Sequence, residues 1–351
     1  MAVVAYKCPS CGAGIAFDSG KQLFRCEYCL SEYTEEQIAA GTPTEDTSEE
    51  QQTTEAENGA FCEELLSYSC TNCGAEVFAD KDTVADHCYY CHNPIVSSGR
   101  LTGQLRPHKI VPFAYDKAAA EKKFLEFARK KWFVPKDFFA EKQVEKIQGI
   151  YYPFWLTDLD ISASSSAKAE KVRTWKLGKN LYTETSHYHL YRKGNIHFED
   201  VTTGAYDNAD KAMLEGILPY PSDALKDFSM PYLSGFLAKK RNVEKETVFD
   251  EVKNRVNNYS ATLLGDTMRG YTAVHPVGTQ VQMHKVLWDY ALLPMWILTY
   301  NKGGKIYTYA MNGYTGKVYG ELPISGKKLW ILFFAVALGI TLLGTIGGLF
   351  L

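Results

Sequence analysis

Basic residues are scarce in the first hundred positions of this 351-residue chain, where 5 Lys and Arg stand against 17 Asp and Glu. That balance argues against nucleic acid as a partner there, because affinity for phosphate comes from Lys and Arg that release counterions. No Gly-x-x-x-x-Gly-Lys-Ser/Thr occurs, so no P-loop is expected, and Lys302-Gly303-Gly304-Lys305 reads as a turn. Residues 1–7 offer no long apolar run behind a basic start. An export signal is therefore not expected, and disulfide pairing ranks behind metal binding. Charge is absent altogether from 329 to 351.

What is present is one cysteine spacing, used twice. Cys8 and Cys11 are followed by Cys26 and Cys29, and Cys70 and Cys73 by Cys88 and Cys91, with 14 residues between the pairs in each set and an offset of 62 between sets. Four thiolates from two tight turns suit tetrahedral zinc in a closed, structural site, because no position is left for water or substrate. Two structural zinc ions are expected, one per set, with iron in a rubredoxin-like site as the main rival. Gly12 and Gly74 follow the first pair of each set and permit the positive φ of a metal knuckle. Ile15, Phe17, Leu23 and Phe24, with Val77 and Phe78 in the second copy, supply the small cores that need such a staple. His87 and His92 adjoin ligand cysteines and read as bystanders, and Cys62 reads as a free thiol.

Charge and patterning divide the chain. Residues 1–35 read as zinc ribbon 1, 36–60 as an acidic disordered linker, 61–100 as zinc ribbon 2, 101–326 as an α+β cytosolic domain and 327–351 as a transmembrane anchor. Between 36 and 59 seven acids meet no Lys or Arg, a composition that stays extended and predicts a mobile first ribbon. The first hundred residues carry a net charge of −12 and the remainder +9. The 23 uncharged residues of the last stretch would span roughly 35 Å as a helix, against a hydrocarbon core of about 30 Å. Lys327 and Lys328 at its entry predict a cytoplasmic soluble part, and Gly344 and Gly348 offer a close approach between two such helices in a homo-oligomer.

In the middle region strands are expected at 109–114, 150–159 and 290–300, helices at 117–133 and 244–264, and a hairpin at 305–320. Asp116 should cap the first helix, with Pro135 beyond its end. Tyr152-Pro153-Phe154-Trp155-Leu156 and Leu293-Pro294-Met295-Trp296-Ile297 are alike and hint at an internal duplication. The expected fold class is multidomain: two small rubredoxin-like β zinc ribbons, an α+β domain with a largely antiparallel sheet, and one C-terminal transmembrane helix. His187 and His189, with His197 and Asp200 nearby, form the one cluster suited to a catalytic metal, but two histidines without a third ligand read as an exposed pair. Ser164-Ser165-Ser166 has no nucleophile context and reads as a loop or polar strand edge.

The order of the Cys8-Pro9-Ser10-Cys11-Gly12 ribbon, the second ribbon, Val111-Pro112-Phe113, Gly149-Ile150-Tyr151-Tyr152-Pro153-Phe154-Trp155, Tyr232-Leu233-Ser234-Gly235-Phe236, Leu293-Pro294-Met295-Trp296 and Asn312-Gly313-Tyr314-Thr315-Gly316-Lys317-Val318 is informative. It resembles the bacterial TFIIB-type zinc-ribbon membrane proteins, which include YdjG-like proteins associated with phage-shock and flotillin-like (SPFH) membrane-stress operons. The resemblance implies a non-enzymatic membrane adaptor that recruits a flotillin-like protein partner at the lipid bilayer. A nucleic-acid-associated ribbon protein is the alternative, and an enzyme with a site in the middle domain the third.

Overall fold

The computed structural model describes residues 3–4, 6–40, 65–69, 76–80, 82–87, 94–97, 105–135, 138, 144–302 and 305–349. Cys62, Cys70, Cys73, Cys88 and Cys91 lie outside the described residues, as does the acidic stretch 41–64.

The chain opens with β1 (Val3–Val4) and a three-stranded sheet of β2 (Ile15–Asp18), β3 (Leu23–Cys26) and β4 (Glu32–Tyr33), followed by the short helix α1 (Glu35–Ala40). Two hairpins come next, β5 (Leu65–Ser69) with β6 (Glu76–Asp80) and β7 (Thr83–His87) with β8 (Pro94–Ser97). β9 (Lys109–Ile110) leads into α2 (Lys117–Arg129), capped by Asp116, whose carboxylate accepts from the Ala119 N–H at 2.7 Å. The helix ends four residues before the expected boundary, because the chain tightens into i→i+3 turns from Ala128 to Val134.

Then come β10 (Gln148–Leu177) and β11 (Asn180–Gly204), of 30 and 25 residues. α3 (Lys211–Gly216), β12 (Lys226–Asp227), a 3-10 turn at Met230–Leu233, β13 (Leu237–Lys239) and α4 (Lys245–Asp266) intervene before β14 (Ala273–Lys302), again 30 residues. β15 (Lys305–Asn312), β16 (Val318–Gly320) and α5 (Gly326–Leu349) complete the order. β10 lies between β11 and β14, antiparallel to both, in a sheet with 11 strands among the described residues. Within that sheet only β10–β13 and β9–β14 pair in parallel among the described residues.

These strands run two to three times further than the sequence signal. Along β10 one face carries Leu159, Ile161, Ala163, Ala167 and Ala169, all buried, with Val252, Val256 and Leu264 of α4 over its near end and Met268 over its far end. The other face carries Asp158, Asp160, Ser162, Ser164 and Ser166. Small and hydroxylated residues alternate here without a bulky apolar run, so the segment reads as a loop or polar strand edge until the sheet is seen.

The single-pass anchor expected at 327–351 is corrected. No helix among the described residues is long and apolar enough to cross a membrane. Residues 326–349 are helical.

The motifs shared along the chain meet at one side chain. The Phe113 ring lies 4.1 Å from that of Phe236 in a stack, 5.0 Å from Tyr151 and 5.2 Å from Trp296. A Cβ on Gly149 would fall 2.7 Å from Phe236, and one on Gly313 2.7 Å from Phe113, so both glycines are set by ring packing. The two similar Pro-x-Trp strands are neighbours, paired antiparallel with Tyr152 opposite Leu293. Trp155 and Trp296 each donate an indole N–H to a backbone carbonyl, of Val243 at 2.9 Å and Tyr115 at 3.0 Å. Pro153 and Pro294 each offer a carbonyl to an amide outside the pair, from Ala205 and Gly313. The duplication is thus a local two-fold at the centre of the sheet.

Ribbon 1 is built into this core, which corrects the expectation of a module swinging on a tether. Phe17 and Phe24 pack on Tyr232 at 5.0 and 5.7 Å. The Ser234 hydroxyl donates to the Ile15 carbonyl at 2.5 Å, the Phe17 N–H to the Ser234 carbonyl at 3.1 Å, and the Gln22 amide to the Phe113 carbonyl at 2.7 Å. Residues 36–40, expected as linker, belong to α1, whose Ile38 is buried in the same core.

Candidate metal centre

Each half of the first cysteine set sits in a knuckle of the same construction. The Gly12 N–H donates to the Cys8 carbonyl at 2.8 Å and the Cys8 N–H to that of Ala13; Leu30 and Cys26 repeat this at 2.9 Å, with Ser31 in the place of Ala13. The fourth residue after each leading cysteine takes a positive φ, +77° at Gly12 and +62° at Leu30. Glycine at the first knuckle was legible in the sequence. A leucine in the left-handed region at the second was not, since a non-glycine residue seldom adopts that conformation.

These turns bring Cys8, Cys11, Cys26 and Cys29 together with all four sulfurs within 4.8 Å of one another, and none is in a disulfide. Cys8 Sγ lies 3.5 Å from Cys29 Sγ, and Cys11 Sγ 3.5 Å from Cys26 Sγ. A tetrahedral ion with metal–sulfur bonds of about 2.3 Å sets its sulfurs about 3.8 Å apart, so the donor set fits such an ion. Cys8 and Cys26 are buried, Cys29 is half-buried and Cys11 exposed.

Sequence reasoning missed the groups around the sulfurs. Ser31 Oγ is 3.3 Å from Cys29 Sγ, and Tyr33 OH is 3.5 Å from Cys8 Sγ and 2.6 Å from Ser10 Oγ. The Ser31 hydroxyl, followed by its backbone N–H, holds the Cys29 thiol down at about 6. Burial pushes Cys8 up, but the Tyr33 hydroxyl and the amides of Cys11 and Ser10 outweigh it, and its thiol sits below the ordinary value. At Cys11 the Ala13 amide pulls down while burial and three neighbouring sulfurs pull up, and the thiol rises to about 12. Neither Ser31 nor Tyr33 belongs to the cysteine spacing; Ser31 follows Cys29 by two residues, whereas the fold brings Tyr33 back to Cys8.

The second set is framed by the same strand register. Lys7 bridges Gly14 around residues 8–13, and Ser69 pairs with Glu76 around 70–75, both shifted by 62. Arg25 pairs with Glu32 around residues 26–31, and His87 with Pro94 around 88–93, shifted by 62 again.

The middle-domain histidines do not converge. His187 and His189 are exposed on β11, His187 lying 3.4 Å from Glu170. His197 Nδ1 lies 2.7 Å from Asp160 Oδ1, and that carboxylate, against a small opposing effect of burial, raises its pKa above the ordinary value. A surface cavity of about 200 Å³ lies between β11, α3 and α4, and its lining includes Phe154, Thr203, Tyr206, Lys211 and Glu251 but neither His187 nor His189. Ser164, Ser165 and Ser166 lie within β10, not in a loop.

No family model matches the chain, and no solved structure matches it. The uncharacterized protein YdjG of Bacillus subtilis (strain 168) is 31% identical over 343 residues, which cover 96% of this chain and 95% of the relative. The chain belongs to the YdjG family. Being uncharacterized, that relative brings no activity or partner with it. The match covers the ribbon and the segments that form the central sheet alike.

Proposed function

We propose that this YdjG-family chain is a non-enzymatic adaptor whose two cysteine sets each hold a structural zinc ion and whose partners are a flotillin-like (SPFH) protein and a lipid bilayer surface. The repeated strand register, shifted by 62 at both knuckles, carries the two-ion part of this reading. A bound dication offsets half the charge of four clustered thiolates and locks the knuckles, which is folding energy rather than chemistry. In the adaptor reading Cys8, Cys11, Cys26 and Cys29 fix the ribbon, while its outer knuckle presents Tyr28 and Leu30, 83% and 60% exposed. Aromatic and aliphatic side chains at an exposed tip suit a protein contact better than a phosphate one.

The test is co-isolation of a flotillin-like protein with the full chain and with Tyr28→Ala/Leu30→Ala, which leaves sulfurs and core untouched. Capture by the parent and loss in the variant is the expected result. Equal capture by both moves the contact off this knuckle, and no capture by either removes the adaptor reading.

A further inference from the structure

The loop after α2 and the first turn of α5 are tied together. The Ser325 N–H donates to the Phe133 carbonyl at 2.7 Å, and Lys328 Nζ donates to the carbonyls of Trp132 at 3.0 Å and Val134 at 2.8 Å. This junction collects Arg129, Lys130, Lys131, Lys327 and Lys328, with no acid in 127–135 or 322–330. It also presents two tryptophans to the outside, Trp132 at 65% and Trp330 at 61% exposure.

From this geometry we infer that the α2–α5 junction is a collar that binds an anionic lipid surface. The charge complements phosphate-bearing headgroups, and the indole rings suit the boundary between headgroup and hydrocarbon. A protein partner covers one stripe of a helix. On α5, however, Leu329, Trp330, Ile331, Phe333, Phe334 and Val336 are all exposed, and at 3.6 residues per turn these positions point all round the axis. Lipid is the occupant that meets apolar side chains in every direction. The collar places the helix base among the headgroups with the first apolar turns of α5 beneath them, which needs no crossing of the bilayer.

The inference rests on the lipid part of the proposed function and fails separately from its protein part, because the assay contains no protein partner. Full-length chain is diluted from detergent onto neutral phosphatidylcholine vesicles or vesicles containing phosphatidylserine, and bound protein is separated by flotation. The parent should favour the anionic vesicles, and the preference should vanish at 1 M salt, where the screening length falls to about 3 Å. Lys130→Glu/Lys131→Glu/Lys327→Glu should lower binding to anionic vesicles on the order of a hundredfold and leave binding to neutral vesicles unchanged. These side chains are exposed, so the variant keeps its fold, which circular dichroism checks. Equal binding of the parent to both vesicle types, or an unchanged anionic preference in the variant, overturns the collar. Absence of flotation with either overturns lipid as its occupant.

Discussion

The Tyr232 hydroxyl donates to Glu35 Oε2 at 2.6 Å, joining residues 197 positions apart. Tyr232 belongs to the Tyr-Leu-Ser-Gly-Phe segment of the central domain, and Glu35 opens the helix that closes ribbon 1. Burial, reinforced by that carboxylate, raises the pKa of the phenol. Around this bond the segment turns through Gly235 at φ +93°, where an added Cβ would lie 3.0 Å from Ala16 Cβ. The motif is therefore a cradle for ribbon 1, and the metal knuckles stand at the edge of the central core.

Removing the cradle's buried hydroxyl should be costly. Ser234 is 2% exposed and donates to Ile15, so Ser234→Ala leaves a buried carbonyl short of a partner and should cost about 1–3 kcal/mol. Denaturant unfolding of the metal-loaded chain measures it. A shift within the scatter of surface substitutions would show that the ribbon docks without help from this bond.

The docking also changes what metal loss should do. Cys8→Ser should remove one metal ion per chain and lower the unfolding midpoint of the central domain, because Phe17, Phe24 and Ile15 share its core. Elemental analysis beside the unfolding curve reads both effects. Cys70→Ser should remove the second ion; two ions in the parent, one in each variant, is the expected count, and a parent count of one would sink the duplicated site.

Legibility in the sequence followed the physics of local signals. The first cysteine set, the Asp116 cap, the helix expected at 244–264 and found at Lys245–Asp266, and the matched strands Tyr152–Leu156 and Leu293–Ile297 each depend on residues close in sequence, and each lies close to where the pattern puts it. The length of β10 was hidden, because Ser and Ala alternate where Val and Ile usually announce a strand. The ribbon dock was hidden for another reason. Its bonds join Ser234 to Ile15 and Gln22 to Phe113, and nothing in an acidic linker reports that the module before it is held from elsewhere. Tyr33 beside the Cys8 sulfur likewise emerges only when β4 pairs back on β3.

Convergence on Phe113 makes a packing prediction. Phe113 is fully buried against Phe236, Tyr151 and Trp296, so Phe113→Ala should cost about 3–5 kcal/mol, while Tyr28→Ala on the exposed knuckle should stay within about 0.5 kcal/mol. Comparable losses from both substitutions would mean that the shared motifs are held for something other than the core.

The open face of the sheet supplies a pH prediction. The Asp160 carboxylate at 2.7 Å is the main cause that raises the His197 pKa, with Glu199 at 3.5 Å adding to it. A raised folded pKa means that the pair's contribution is fully present below the unfolded histidine value of about 6.5 and is lost as pH rises through the folded value. Because the ring is half-exposed, the contribution to stability is small and the titration itself is the better readout. The His197 ring signal in a pH series by NMR should titrate above the ordinary value in the parent and return toward it in Asp160→Asn. An unshifted parent, or a shift that survives Asp160→Asn, would show that solvent separates the pair and that this face carries two independent charges.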